Sequence, residues 1–384
     1  MRILHTSDWH LGRQLHRVPL IDEQHRFLQF LLDIVRQQSV DVVAVAGDVF
    51  DRAIPPLDAI GLFDQVLDEL AALRVPLVMI SGNHDSPRRL GVNARLIERA
   101  GIHLRTAVDD CARPAVLHDE HGPVAFYGLP YLEPGLTQAY FDALKPSHEA
   151  VLGAAMDQVR ADLATRPGTR SVVLAHAFVT GAAPSDSERD ITAGGVPSVS
   201  ASLFDGVDYV ALGHLHRCQT ITDRVRYSGS PLAYSFSEAD HPKAMWLIDL
   251  DAQARLTAQR VHCPVPRTLA RLTGTLNALL TEPEHTDHEN SWLHITLTDP
   301  DRPHMAMERL KERFPHTLRL SFTAGHLHTR DESYGTRVNG HSDHDIALGF
   351  VEHVTNIPAT AQEQDLLREG LENVRIQAAA REAH

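Results

Sequence analysis

The strongest constraint on this chain is a set of short, wholly apolar runs, each stopped by residues that bind cations. Val42-Val43-Ala44-Val45-Ala46 is closed by Gly47-Asp48, and the run from Val75 to Ile80 leads into Gly82-Asn83-His84-Asp85. Val172-Val173-Leu174-Ala175 ends on His176, and Val210-Ala211-Leu212 ends on Gly213-His214-Leu215-His216. Runs this short and unbroken suit strands buried on both faces, the pattern of a parallel sheet covered on each side. Strands are expected over Arg2–Ser7, Val40–Ala46, Pro76–Ser81, Val124–Leu129, Ser171–Ala175, Tyr209–Leu212, Arg224–Ser228 and Ala244–Leu250. Helical patterns fall between the early ones; Ile21–Gln37 puts Phe27, Leu28, Leu31, Leu32 and Val35 on one face. Residues 1–262 therefore read as a layered α/β domain, richer in strands toward its end, with its functional loops at the C-terminal ends of parallel strands.

Cys263-Pro264-Val265-Pro266 interrupts this pattern. Beyond it come a strand at 267–273, a helix at 275–281, a strand at 292–298, a helix at 303–314 and a strand at 317–323, which fits a small second α/β domain over residues 263–340. The stretch 325–345 is polar and reads as a loop. The remainder, 341–384, reads as a helical tail: Asp345–Thr355 carries Ile346, Phe350, Val351 and Val354, and Thr360-x-x-Glu363 is a capping box before Leu367, Leu371 and Val374. No apolar stretch reaches membrane-spanning length and Met1-Arg2-Ile3-Leu4 runs straight into a strand, so no membrane segment or leader is expected. Cys111, Cys218 and Cys263 are few and scattered, which argues for a reducing, cytoplasmic setting. The absence of a Gly-x-x-x-x-Gly-Lys-Ser/Thr loop means that the chain binds no nucleotide in that manner.

The polar blocks carry the chemistry. Asp8 and His10, two residues apart on an extended segment, would point to one side and share an ion; a turn Asp beside a surface His is the ordinary alternative. Asp48 ends an all-apolar strand, where a carboxylate is costly unless paired or metal-bound, and its two oxygens suit it to bridge two ions. Asp51 is placed to hold a ligand or water from behind. Asn83 offers an amide oxygen; its neighbour His84 is freer for proton transfer or for contacting a phosphate, with Asp85 to orient its ring. The same residues would also serve as a polar loop capping the next helix. His176 alone reads more readily as a buried structural histidine, whereas His214-x-His216 can serve two ions. Taken together, the blocks form one dinuclear site of mixed N and O ligands, which suits Mn²⁺ and Fe²⁺ and tolerates Zn²⁺. Two such ions about 3.5–4 Å apart can share a hydroxide nucleophile and spread the charge of an in-line phosphoryl transfer. The other histidines, including His285, His288, His326, His328, His341 and His344, lie in polar surroundings and read as surface.

These blocks, in this order, resemble the calcineurin-like metallophosphoesterase superfamily. A narrower resemblance is to its DNA-end nuclease subunits, carried by Ile3-Leu4-His5-Thr6-Ser7-Asp8-Trp9-His10-Leu11-Gly12, by Ala46-Gly47-Asp48-Val49-Phe50-Asp51, and by Tyr227-Ser228-Gly229-Ser230-Pro231-Leu232 with Ser235-Phe236. The resemblance implies a metallophosphoesterase β-sandwich flanked by helices, then a capping domain that positions DNA, then a tail that binds a coiled-coil ATPase partner. It implies one ion on Asp8, His10, Asp48 and His216, a second on Asp48, Asn83, His176 and His214, and His84 as the catalytic histidine. It also implies two Mn²⁺, exonuclease action on duplex ends, endonuclease action on single strands and hairpins, and a homodimer within a heterotetramer in a nucleoid-associated setting. Where some relatives have a second histidine, this chain has Asp51.

The formal charge of −14 sits oddly with a DNA substrate, since phosphate contacts call for a basic surface. Divalent cations offset this locally, and the acidity suggests that part of the grip on DNA comes from a partner. Lys145, Lys243 and Lys311 are the only lysines; base composition alone can produce that bias, but Arg also suits bidentate phosphate contacts. Arg13, Arg52, Arg88 and Arg89 lie nearest the site loops in sequence and are the candidate DNA contacts. Two rival readings remain. A phosphatase acting on other phosphoesters would share the Asp48, Asp51, Arg52 and Asn83-His84 pattern, though not the second domain and tail. A non-catalytic scaffold would be expected to have lost ligands that are all present here.

Overall fold

The computed structural model describes residues 1–188, 198–323, 342–355 and 357–382; His326, His328, His341 and most of the polar stretch 325–345 fall outside the described residues. Two six-stranded sheets stack face to face. Across the first the order is Leu256–His262, Ala244–Leu250, Arg2–Thr6, Val42–Ala46, Leu77–Ile80 and Ile102–Arg105. Across the second it is Gln219–Thr220, Val225–Tyr227, Tyr209–Gly213, Arg170–His176, Gly122–Leu129 and Ala115–Asp119. The central pairings of both sheets are parallel. Antiparallel strands close one side of the first sheet and both sides of the second.

Residue alternation assigns each apolar side chain to a layer. Ile3, Val42, Ala44, Val78 and Ile80 meet Phe126, Val172, Leu174, Tyr209 and Ala211 between the sheets. Leu4, Val43, Val45 and Met79 face the other way, onto helices Ile21–Gln37 and Leu57–Leu73. Tyr127, Val173, Ala175 and Leu212 likewise meet Val151, Ala155, Met156 and Val159 of helix His148–Ala164. The result is a helix–sheet–sheet–helix stack. With both faces of the central strands covered, each buried Val or Leu contributes about 1.5–3 kcal/mol, an upper estimate.

Helix Ile21–Gln37 begins and ends where its pattern predicts, and its five expected apolar residues are all buried. Strand Ala244–Leu250 also matches, and the other expected strands differ by a residue or two at their ends. Beside five two-residue strands, three longer ones are additional: Ile102–Arg105, Ala115–Asp119 and Leu256–His262. The last two are half-polar edge strands that carry no apolar run to announce them.

The described residues form two compact units, Met1–Thr296 with Met305–Ser321, and Leu297–His304 with the described part of Phe322–His384. In the first unit, Leu15, Leu20, Leu232 and Tyr234 cluster with Trp292 and Leu269, so the chain after the 263–266 break packs on the sandwich. A three-stranded sheet, ordered Leu269–Gly274, Trp292–Leu297 and Thr317–Phe322, accompanies helices Leu276–Thr281 and Ala306–Arg313. The second unit contains helices Asp343–Thr355 and Ala361–Glu382. Thr360 and Glu363 form the expected reciprocal cap, with backbone-to-side-chain distances of 2.8 and 3.4 Å. Among the described residues no helix is long and apolar enough to cross a membrane.

The sandwich is tied at the end away from the polar loops. Arg170, at the start of its strand, pairs with Asp119 and donates to the Leu250 carbonyl at 3.1 Å, while the Met1 ammonium lies 2.7 Å from Asp119. Burial alone would raise the Asp119 carboxyl, but Arg170 and the Met1 ammonium hold it well below its ordinary value. A carboxyl lowered in this way stabilises the fold above its unfolded value of 3.8 and loses that contribution as pH falls. Asp119→Asn is expected to cost about 3 kcal/mol at pH 7. In urea melts, the gap from the parent should narrow as pH drops below the unfolded value; a gap that stays constant would count against the ion-pair account.

Candidate metal centre

The loops after the parallel strands are stitched to each other by their backbones. Asp8 N donates to Gly47 O at 3.0 Å, His10 N to Asp48 O at 3.0 Å and Leu11 N to Val49 O at 2.9 Å. Gln24, buried on helix Ile21–Gln37, donates to the His10 carbonyl at 2.7 Å and accepts from Gly12 N at 2.9 Å. Trp9 is fully buried, with its indole N–H on Thr6 Oγ1 at 3.0 Å. Asp85 closes the set: its carboxylate accepts from the N–H groups of Val49, Phe50 and Gly82 at 3.1, 2.9 and 2.9 Å.

The side chains converge differently from the extended Asp8–His10 segment expected from sequence. Asp8, His10, Asp48 and His214 all have positive φ, at 53°, 45°, 49° and 102°. Asp and His tolerate this region better than most residues, and each such residue still costs about 1–3 kcal/mol unless its surroundings enforce it. Asp8 and His10 share a side because the loop curls at both residues, not because a strand alternates. Gly82 lies where no side chain fits, since an added Cβ would come within 2.1 Å of Asp48 Oδ1.

All seven predicted ligands come together. His10 Nε2 faces His216 Nε2 at 3.1 Å, and Asp8, His10 and His216 can present ligand atoms within 4.8 Å of one another. Asp48 Oδ2 lies 3.6 Å from His10 Nε2 and 3.5 Å from His176 Nε2, which puts it between two groups of ligands. Asn83 Oδ1 is 2.9 Å from His176 Nε2 and 3.2 Å from His214 Nδ1. Two carboxylates, one amide oxygen and four imidazoles form a donor set that fits divalent first-row cations. His84 stands beside this cluster, its ring centroid 4.7 Å from that of His10. Its Nδ1 is held by the Asp51 carbonyl at 2.8 Å, and not by Asp85, whose oxygens serve backbone N–H groups. Asp51 Oδ1 lies 3.7 Å from His10 Nδ1 and accepts from Arg13 at 3.3 Å. Arg13 also donates to the Ser187 carbonyl at 3.0 Å and stacks on Tyr234, so it braces the loops; Arg52, Arg88 and Arg89 are exposed.

Burial dominates the electrostatics. It raises Asp8 to about 6, with His176 and His216 opposing. It also lowers His10 well below its ordinary value and takes His214 down to about 3. Asp85 rises to about 7 through burial and the Asp48 charge, despite its three backbone donors. Burial would raise Asp48 as well, but His176, His10 and His84 hold it well below the usual carboxylate range. His176 is the reciprocal case: burial would lower it, and Asp48 lifts it to about 9. The buried carboxylates thus draw positive charge into the pocket, a demand that a divalent cation meets directly.

Sequence reasoning missed the group behind His216. Its Nδ1 lies 2.6 Å from Ser187 Oγ, its N–H donates to Glu188 at 2.7 Å, and Ser187 donates to Glu238, which pairs with Lys243. The Ser228–Leu232 and Ser235-Phe236 segments mark the neighbourhood, but nothing in the sequence separates a buried Glu–Lys pair from a surface one. A cavity of about 320 Å³ lies to one side of the ligand cluster, lined by Leu232, Trp292, Leu269, Glu238 and Lys243 among others and by none of the predicted ligands. The grouping of Glu282, Glu284 and His285 has exposed acids and reads as surface.

A family model described as calcineurin-like phosphoesterase matches residues 1–218, and one described as the type 5 capsule protein repressor C-terminal domain, the C-terminal domain of SbcD, matches residues 265–354. With more than half of its length matched, the chain belongs to the calcineurin-like phosphoesterase family and is a metal-dependent phosphoesterase. Its second match narrows this further: the chain is an SbcD-type nuclease subunit, a phosphodiesterase. Among solved structures, a dimetal phosphatase from Danio rerio is 16% identical, with 68% of this chain and 95% of that one covered at a TM-score of 0.41. Protein TT1561 of Thermus thermophilus is 14% identical, with 67% and 98% covered at 0.38. An archaeal phosphodiesterase is 13% identical, with 68% and 100% covered at 0.30. Likenesses this distant add nothing to the family assignment.

Gly82→Ala should push the new methyl group into Asp48. A loss of about 1–3 kcal/mol in urea denaturation is expected, together with weaker binding of divalent cation in calorimetric titration. Unchanged cation affinity would mean that Asp48 is not confined there.

Proposed function

We propose that this chain is a manganese-dependent DNA nuclease, acting as an exonuclease on duplex ends and as an endonuclease on single strands and hairpins, with an SbcC-type coiled-coil ATPase as its partner in DNA repair and recombination. The observation that carries the reading is the convergence of Asp48 with six other candidate ligands. His84 is also close enough to His10 and Asp48 to join a cation there, and the reading keeps it out of the ligand set because its Nδ1 is taken by the Asp51 carbonyl. On this reading Asp8, His10, Asp48 and His216 hold one cation, and Asp48, Asn83, His176 and His214 hold the other. When bound, the pair supplies an activated water and neutralises charge on the phosphate. The chain's own residues do the rest. The Asp51 carbonyl accepts from His84 Nδ1, so Nε2 faces substrate, where it steadies the phosphate or protonates the leaving oxygen. Asp85 fixes the loops that carry Asp48 and His84. Exposed Arg52, Arg88 and Arg89 are the DNA contacts, and residues from 263 to about 340 act as the cap that positions the duplex.

His84→Ser is expected to keep both cations and binding to DNA ends while cleavage falls on the order of 10²–10⁴-fold. Loss of metal in that variant would show that His84 is a ligand. The competing phosphatase reading is tested with linear duplex DNA and p-nitrophenyl phosphate in Mn²⁺, with the ATPase present. Rapid turnover of the monoester beside intact DNA would sink the nuclease reading.

Pairing and partner binding are proposed from unpartnered apolar surface. Leu57 and Ile60 on one helix, with Val92 and Leu96 nearby in sequence to the site loops, are exposed and suit a homodimer. In the tail, Phe350, Val354, Leu366 and Val374 are exposed, while Leu367 and Leu371 are half-buried. Co-purification with the ATPase is expected to give two copies of each chain. Leu366→Glu with Val374→Glu should release the ATPase and leave the nuclease pair intact; retention of the ATPase would move its docking site off the tail.

A further inference from the structure

The four histidines of the cluster differ in what their Nδ1 atoms meet. His176 donates from Nδ1 to the Ala46 carbonyl at 2.8 Å, and His214 turns its Nδ1 to Asn83. His10 Nδ1 is 3.7 Å from Asp51, beyond hydrogen-bond reach. His216 differs, because half-buried Ser187 and, behind it, buried Glu238 and Lys243 stand at its Nδ1, which also lies 3.4 Å from Glu238 Oε1 itself. Ser187 Oγ is 2.6 Å from its Nδ1 and also meets Glu238 Oε1. Lys243 pairs with the other Glu238 oxygen, and donates to the His216 carbonyl at 3.0 Å and to Ser230 Oγ at 2.9 Å. Glu238 further accepts from Tyr234 N at 3.3 Å. Glu238 and Lys243 are almost completely buried, at 0% and 3% side-chain exposure.

We propose that Glu238, held by Lys243 and acting through Ser187, is a positioning residue for His216. It fixes the imidazole with its proton on Nδ1, so that Nε2 offers a lone pair to the cation shared with Asp8, His10 and Asp48. This rests on the reading of His216 as a ligand. The assignment follows from donor arithmetic: a carboxylate only accepts, and the Ser187 hydroxyl has one proton. If that proton pointed to His216, the oxygens of Ser187 and Glu238 would face each other with no proton between them, whichever way the hydroxyl of Ser185, 2.9 Å from Ser187 Oγ, is turned. With the proton on Glu238, Ser187 can only accept from Nδ1–H. A carboxylate behind a ligating imidazole also makes its other nitrogen more basic. Packing alone does not account for the pair, because an apolar pair of the same size fills such a space at no greater cost.

The test uses the full chain and Mn²⁺ titration by calorimetry. Glu238→Gln with Lys243→Met removes both charges together at similar volume, so no unpaired ion is left and the melting temperature should stay near the parent's. Of the two Mn²⁺ affinities, one is expected to fall about 10–100-fold and the other to hold. Two parental affinities in this double variant would overturn the proposal. A second measurement needs no variant fold: ¹⁵N-histidine NMR of the metal-free parent, assigned with His216→Gln, should show His216 protonated at Nδ1. Protonation at Nε2 alone would overturn the proposal as well. A parent that takes up no Mn²⁺ would overturn the ligand reading instead, so the two failures are told apart.

Discussion

The buried carboxylate of Asp48 is the point on which the site depends. Its backbone carbonyl receives His10 N, its Oδ1 receives His84 N, and its Oδ2 lies between His10 Nε2 and His176 Nε2. One residue thus joins the loops after three strands of one sheet to a strand end of the other. It is 2% exposed, and a lone carboxylate at that depth is untenable. The surrounding imidazoles, the packed Gly82 and the positive charge that the pocket attracts all follow from the need to compensate it. The same need explains why Asp85 is spent on three backbone N–H groups. It locks the loops that present Asp48 and His84, a task that a flexible polar loop cannot perform.

Local strain and global packing are linked here. Four residues of the cluster sit at positive φ, and a free loop would relax out of that region. They are kept there because the strands feeding them are buried on both faces and cannot shift. Val42–Ala46 and Tyr209–Gly213 are buried along their whole length. The ion group of Met1, Asp119 and Arg170 ties the two sheets at the far end, so the spacing of the loops is inherited from the sandwich. Function is therefore sensitive to packing well away from the cations.

The legible part of the sequence was what buried parallel strands must display. Unbroken apolar runs located the central strands, and the polar residues at their ends located the seven candidate ligands that the fold brings together, with His84 beside them. The edge strands Ala115–Asp119 and Leu256–His262 stayed hidden because half their residues face solvent. The curl at Asp8 and His10 was also hidden, since spacing in sequence carries no φ angle. Tertiary pairing was the least legible of all. Arg13 stood out as a candidate DNA contact by its place in sequence, whereas its pairing with Asp51 and its stacking on Tyr234, more than two hundred positions along the chain, could not be read there. The pairing of Glu238 with Lys243 carries no local signal for the same reason.

Charge decides how such a chain can approach a polyanion. With a net −14 and three lysines, its surface as a whole repels phosphate. The repulsion is screened beyond about 8–10 Å at physiological ionic strength, so only charges close to the site decide whether a strand enters. There the inward field comes from Asp8 and Asp48, and cations on those carboxylates reverse its sign. Exposed Arg52 follows Asp51 in sequence, and exposed Arg88 and Arg89 lie in the short helix Pro87–Leu90 that follows Asp85. Compensation of the charge on Asp8 and Asp48 therefore bears directly on how a phosphate can approach. An acidic surface of this kind also disfavours nonspecific binding to a polyanion.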